Sequence, residues 1–380
     1  MALPEPALGV AHPPRARLDS ITGIRFVAAF HVVLFHAFEW YAWPRTLSRN
    51  LLATGYVAVS LFFVLSGFIL AYTYGGRPGG TIPRRAFYAA RFARIYPVYA
   101  LGLLIAAPVF VHAHITAGKL HTMVPKAAAA LTLLHAYVPK WALVWNPPGW
   151  SLSVEATFYL LFPLIAPPIL RASPRMARAG LVAAWAVAMG MALVYVVVRP
   201  DGNVPYETWG ATWMDVLRYN PLARLPEFVM GICLGRLHLS ASSRAAPASM
   251  RFVPEATLVA IVGMLAVSDK IAYPFLHNGL LAPLFALLIV SLTRDTGPLA
   301  RLLGSRLLVL LGEASYALYI LHEPICVLLK NVSSAPDWPG SWPYVITAIA
   351  IVIPMSIAVF LFVEMPLRDR LRRVLAGPAK

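Results

Sequence analysis

The sequence predicts an all-α membrane protein of about ten transmembrane helices, with one short re-entrant or interfacial helix. Three observations carry this. Of 380 residues, 59% are hydrophobic and 13% charged, against about 25% charged in an ordinary soluble domain; mean hydropathy is +0.69. Apolar runs of roughly 17–23 residues recur, long enough to cross ~30 Å of hydrocarbon as helices. The net charge of +16 comes from arginines in short links between those runs. That is the distribution of the positive-inside rule. No nucleic-acid-binding motif surrounds the basic residues, so the charge implies no nucleic-acid partner.

Taken in order, residues 1–19 are proline-rich (Pro4, Pro6, Pro13, Pro14) and lack an apolar stretch. They read as a disordered cytoplasmic tail. The first apolar run keeps Arg25 and has no small-residue cleavage site, which predicts a retained span rather than a signal peptide. Spans follow at 21–40, 54–74, 92–111, 152–170, 179–198, 222–239, 255–272, 278–293, 307–329 and 342–363. Segment 127–138 is apolar but only about a dozen residues long, too short to span. If it does not cross, Arg15 and Arg17, Arg77, Arg84, Arg85 and Arg91, Arg171, Arg175 and Arg178, Arg236, Arg244 and Arg251, Arg294, Arg301 and Arg306, and Arg368 to Arg373 all fall on one side. Crossing would break that pattern. Both termini are therefore expected in the cytoplasm, with a membrane domain over 20–366 and a basic tail over 367–380.

The longest outer link, about 112–151, carries His112, His114 and His121 with Trp141, Trp145 and Trp150. The histidine spacing matches no metal-ligand pattern, and no metal site is expected. The tryptophans read as interface anchors. Cys233 and Cys326 lie in apolar runs and form no disulfide or zinc framework.

Charged groups inside spans are expensive and mark candidate functional sites. Arg25 and His36 are eleven residues apart, so they lie within roughly 20° of one helix face and about 16 Å apart along the axis. His31 points to a different face. Glu39, three residues past His36, is placed to hold its imidazole. Arg91 and Arg94 are one turn apart and can fork a phosphate; Arg84 and Arg85 precede them. Trp150-Ser151-Leu152-Ser153-Val154-Glu155 opens the fourth span after Pro147, Pro148 and Gly149, which is helix-start chemistry. By this topology Glu155 shares the outer depth of His36. Smaller signals are Glu227, Glu364, and His322-Glu323 before Pro324. Each also has a plain structural reading, as a cap, a snorkelling cation or a satisfied core group.

Five stretches in chain order resemble the membrane acyltransferase 3 family. They are Leu18–Arg25 running on to His36 (a basic residue, ten intervening, then histidine), Gly55–Phe68, Arg91-Phe92-Ala93-Arg94-Ile95-Tyr96-Pro97, Trp150–Glu155, and Gly312–His322. The resemblance implies O-acyl transfer, usually acetyl, from cytoplasmic acyl-CoA to a sugar or glycolipid hydroxyl, in a multi-pass protein of a bacterial-type inner membrane. Surface polysaccharides, peptidoglycan, lipochitooligosaccharides and macrolides are the acceptor classes it implies. No permanently bound cofactor is expected. The expected roles are His36 as general base, or acyl carrier, Arg25 and Glu155 as its catalytic companions, Arg91, Arg94, Arg84 and Arg85 on the CoA phosphates, and Glu39, Ser151 and His322 as accessory residues. Two other classes compete. A proton-coupled transporter would move its solute unaltered. A polyisoprenyl-linked glycosyltransferase would use outer-loop acids such as Asp201, Glu207 and Asp215.

Overall fold

The computed structural model describes residues 18–38, 47–76, 82–206, 208, 210–241, 251–294, 297–335, 338–339 and 341–376. Glu39 and residues 1–17 lie outside them. The elements in order are α1 (Asp19–Ala37), α2 (Leu47–Leu52), α3 (Ala58–Tyr74), α4 (Arg84–Thr116), α5 (Leu120–Leu131), α6 (Gly149–Arg171), α7 (Pro174–Val198), α8 (Thr212–Tyr219) and α9 (Pro221–Ala241). They continue with α10 (Val253–Ala266), α11 (Tyr273–His277), α12 (Ala282–Leu292), α13 (Pro298–Leu303), α14 (Arg306–Glu313), α15 (Ser315–Lys330), α16 (Trp342–Val359) and α17 (Met365–Ala376). No strand forms among the described residues. Helix starts follow their sequence signals. Ser173 and Ser341 accept hydrogen bonds from Met176 N and Tyr344 N, each with proline in the first turn, satisfying otherwise orphaned amides.

Among the described residues, seven helices are long and apolar enough to cross a membrane, within Asp19–Ala37, Ser48–Tyr74, Arg84–Thr116, Gly149–Arg171, Pro174–Val198, Tyr273–Leu292 and Trp342–Leu375. The count of ten expected from sequence is not reached, for three local reasons. The 222–239 span is formed as α9 but carries Arg224, Glu227 and Arg236. The 255–272 span shortens to the 14 residues of α10, followed by a tight turn at Ser268–Lys270. The 307–329 span breaks at Ala314 into the 8-residue α14 and the 16-residue α15.

The basic links gather at one end of the bundle. Arg85 Nε donates to Leu375 O over 3.2 Å, tying the start of α4 to α17. Arg236 Nε donates to Ala172 O over 2.9 Å, and Ser20 Oγ to Leu292 O over 2.9 Å. The opposite end is closed by contacts such as Asn50 Nδ2 to Asp269 Oδ1 at 2.8 Å. Segment 120–148 leaves α4 and turns back along it. Tyr96 and Tyr99 on α4 donate to Leu131 O and Ala130 O at 3.1 and 2.8 Å. Helix α6 therefore begins beside Tyr99, part-way down α4, and not at the level of the α4 terminus.

Helix α3 packs most extensively on α9. Gly67 and Gly231 make this crossing possible: a Cβ on Gly67 would strike the Phe228 carbonyl oxygen, and one on Gly231 that of Val64. Small residues let apolar helices approach when lipid supplies no hydrophobic drive between them. The obstacle is backbone, so the helices must separate to relieve it. Gly231→Ala is expected to destabilise the protein by about 1–3 kcal/mol, the usual range for overpacking. A thermal unfolding curve in detergent checks this; an unchanged midpoint would count against the crossing.

Candidate active site

Helices α1, α3, α4, α6 and α15 enclose a cavity of about 300 Å³. Its polar lining is Thr22 and Arg25 from α1, Ser66 from α3, Arg91 and Arg94 from α4, Ser151, Glu155 and Tyr159 from α6, and Ser315, Tyr316 and Tyr319 from α15. Helical periodicity explains the pairings. Arg91 and Arg94 are one turn apart, as are Ser151 and Glu155, and Tyr316 and Tyr319, so each pair shares a face.

The cavity is polarised. Three guanidiniums and one carboxylate line it. Glu155 Oε1 accepts from Ser66 Oγ at 3.4 Å and from the Tyr159 hydroxyl. The Arg91 guanidinium lies 5.6 Å from the Tyr159 ring centre and that of Arg94 5.1 Å from Tyr316, cation–π contacts of moderate strength. Tyr316 is anchored in turn by its hydroxyl donating to Ile95 O. Arg94 forms an ion pair with Glu364, which is fully buried in the π-helical segment Phe360–Glu364. Single π turns within α-helices are a recurrent feature of functional sites.

His36 is not in this cavity lining. It stands in the last turn of α1 against α15, with Nδ1 3.6 Å from Glu323 Oε2 and its ring 5.2 Å from that of His322. His322 is 5.9 Å, ring to ring, from Tyr319, which does line the cavity. Tyr319 and His322 thus separate the arginine-lined cavity from His36. On the far side, Glu323 lines a second, small pocket of about 40 Å³ with Ala106, Val109, Trp145, Asn146, Pro147 and Val327. The order through the protein is cavity, Tyr319, His322, His36 with Glu323, small pocket.

The structure therefore brings Arg25, Arg91, Arg94, Glu155 and Ser151 together, and His36 with His322 in an adjoining cluster. It corrects the expected depth of Glu155, which sits with the arginines and not beside His36. The carboxylate at His36 belongs to Glu323, which the sequence marked only as a minor signal beside His322. Arg84 and Arg85 are exposed at the basic end, outside the cavity. His31 accepts a structural task, its Nε2 2.7 Å from Leu51 O. Glu227 and Arg224 pair over 2.9 Å in a buried network with Ser60, away from the cavity. The outer acids also have structural tasks. Asp201 accepts from the Trp213 and Met214 amides at the start of α8, and Asp215 pairs with Arg218. Trp150 is buried against Phe63 and is not an interface anchor, while half-buried Trp145 stacks on Phe110.

The profile of the acyltransferase 3 family, described as an acyltransferase domain, matches residues 18–362. The chain belongs to the acyltransferase 3 family. Among its relatives is acyltransferase MdmB of Streptomyces mycarofaciens, 30% identical over 334 residues, 82% of this chain and 79% of that protein. Peptidoglycan O-acetyltransferase OatA of Listeria monocytogenes is 24% identical across 93% of this chain. O-acetyltransferase OatA of Staphylococcus aureus is 22% identical over the same share. The matches span only 56% and 57% of the two OatA proteins. No solved structure matches the chain. This acyltransferase 3 member is thus an enzyme of the acyltransferase class in an all-helical, multi-pass membrane scaffold. The transporter and glycosyltransferase readings fall away with that membership.

Proposed function

We propose that this acyltransferase moves an acyl group, acetyl in the simplest case, from acyl-CoA to a hydroxyl of a carbohydrate or glycolipid acceptor. The observation that carries the proposal is the convergence of Arg25, Arg91 and Arg94 on one cavity near the basic end, separated only by Tyr319 and His322 from a histidine–glutamate pair. By the positive-inside rule that end is cytoplasmic, with both termini there and the protein in the plasma membrane. On this reading 120–148 is the re-entrant segment.

A cavity of about 300 Å³ is at the small end of ligand sites. It suits the acyl-pantetheine arm, with the nucleotide left at the mouth where Arg84 and Arg85 steer it. Arg91 and Arg94 hold phosphate oxygens as planar forks. Arg25 lies about 16 Å along α1 from His36. At that distance it serves the donor's polar arm and not the reacting carbonyl. Glu155, held by the Tyr159 hydroxyl, and Glu364, paired with Arg94, supply the counter-charge to the arginine cluster. The thioester passes Tyr319 to meet the acceptor hydroxyl at His36. His36 takes the hydroxyl proton, the oxygen attacks the thioester carbonyl, the C–S bond breaks, and the proton leaves with the CoA thiolate. Glu323, its Oε2 3.6 Å from His36 Nδ1, favours the proton on Nδ1 and stabilises the imidazolium as it forms, so that Nε2 carries the reactive lone pair.

Glu323→Gln keeps the shape and removes the charge. It is expected to lower kcat by about 10–100-fold, part of the roughly 10²–10⁴-fold that general-base assistance supplies, while leaving the KM for acyl-CoA within about twofold, because Glu323 is not in the donor cavity. Steady-state kinetics with varied acyl-CoA checks this. A rise in donor KM with kcat intact would remove Glu323 from the mechanism. The acceptor class is tested by offering glycans, glycolipids and macrolides to the purified enzyme and following acylated product by mass spectrometry. Absence of product with every carbohydrate and glycolipid, together with product from a macrolide, would overturn the proposed acceptor.

A further inference from the structure

The cluster at the outer end of α1 has a property that base catalysis does not use. One ligating atom from each of His36, His322 and Glu323 lies within 4.8 Å of the others. Among the described residues no other histidine, cysteine or acidic group of three meets that spacing. The exposed histidines of the outer link, His112 and His121, take no part. His322 is fully buried. The nearest acceptors for its ring are the Leu318 and Tyr319 carbonyls of its own helix, but neither ring nitrogen forms a hydrogen bond with proper geometry. A buried imidazole in that state calls for a partner.

We propose that His36, His322 and Glu323 form a binding site for a divalent ion of the Zn²⁺ type, and that the ion inhibits acyl transfer by ligating His36 Nδ1, which leaves the ring proton on Nε2 and so removes the lone pair that takes the acceptor's proton. Two imidazoles and one carboxylate are a donor set that zinc accepts, with a fourth position open to water. Tetrahedral bonds of ~2.1 Å place donors ~3.4 Å apart. His36 Nδ1 and Glu323 Oε2 already stand at 3.6 Å. The remaining approach, from at most 4.8 Å, is within reach of side-chain rotation about the two histidine Cα–Cβ bonds. The pocket of about 40 Å³ beside Glu323 holds more than the ~10–15 Å³ a water needs, so it can house the fourth ligand. It also sets the side of approach, since its lining residues beyond α15 come from the outer link and the outer half of α4. Binding requires neutral histidines and an ionised glutamate, so affinity rises with pH.

The inhibitory half of the proposal rests on the acyltransferase mechanism above; the binding half does not. The test uses the purified full-length chain, stripped with a chelator and titrated with Co²⁺, whose visible absorption reports tetrahedral coordination, then displaced by Zn²⁺. One equivalent should bind with a visible band. His322→Ala and Glu323→Gln, each eluting as wild type by size exclusion, should weaken binding by about tenfold or more, while His112→Ala/His121→Ala leaves it unchanged. Absence of the band, equal affinity in both cluster variants, or loss of the equivalent in the outer-link variant would overturn the site. Saturating Zn²⁺ should suppress CoA thiol release by the wild-type enzyme; full release with the ion bound would overturn the inhibitory role. If the ion binds as described and no thiol is released with or without it, the donor assignment fails and the metal site stands.

Discussion

His36→Ala is expected to lower acyl transfer by about 10²–10⁴-fold, the share that a positioned general base supplies, with the protein still inserted and monodisperse. The size of the effect follows from the neighbourhood. His36 sits against Glu323 at 3.6 Å, and the neighbouring imidazole of His322, its ring 5.2 Å away, is fully buried. Because His36 lies outside the donor cavity, the loss should fall on kcat, with donor KM little changed. Single-turnover measurements with radiolabelled acyl-CoA check this. A variant within threefold of wild type would remove His36 from the chemistry.

The second large effect is at Arg94. This guanidinium pairs with the fully buried Glu364 and also lines the cavity, so Arg94→Met has two consequences. Removing one member of a buried pair leaves an uncompensated carboxylate and costs about 3–5 kcal/mol. On the proposed role at the CoA phosphates, the loss of Arg94 raises the KM for acyl-CoA by about tenfold or more, for a charge-assisted fork worth ~1.5–3 kcal/mol. A double variant separates the two. Arg94→Met with Glu364→Leu replaces the pair by apolar groups and should recover most of the stability, since such replacements are often neutral. It should not recover donor affinity. Thermal unfolding and donor KM, measured on the single and double variants, distinguish the roles. Recovery of both by the double variant would make Arg94 purely structural.

Much of this site was legible because it is written in helix periodicity. The eleven-residue interval of Arg25 and His36, the one-turn interval of Arg91 and Arg94, and the helix start before Ser151 and Glu155 each fix a face without reference to any other part of the chain. What was not legible depends on how deep each helix begins. Sequence reasoning starts every span at the membrane surface, and on that assumption Glu155 reaches the level of His36. In the structure the chain first turns back along α4, and α6 starts beside Tyr99, which carries Glu155 to the level of the arginines. Glu323 was obscured for a related reason. The break at Ala314 sets the rotation of α15 independently of α14, so an uninterrupted 307–329 helix could not show which face His322 and Glu323 present to α1. The Arg94–Glu364 pair joins distant parts of the chain through a π turn, and no local pattern announces it.

The count of spans differs for an energetic reason. Helix α9 carries Arg224 and Glu227, but both are almost fully buried and paired with each other and with Ser60. The bundle therefore accommodates charges that composition alone scores against a span. The same packing, α9 against α3 through Gly67 and Gly231, holds the α3 face that lines the arginine-lined cavity.

The central claim is that the arginine-lined cavity delivers acyl-CoA to His36. Its most direct test is release of CoA thiol from acetyl-CoA by the purified protein in lipid nanodiscs, with wild type, His36→Ala and Arg94→Met/Glu364→Leu run side by side. The account predicts release by wild type, near-complete loss with His36→Ala at every donor concentration, and recovery of release by the Arg94→Met/Glu364→Leu variant only at raised acetyl-CoA. Thiol release that is equal in all three proteins would contradict it.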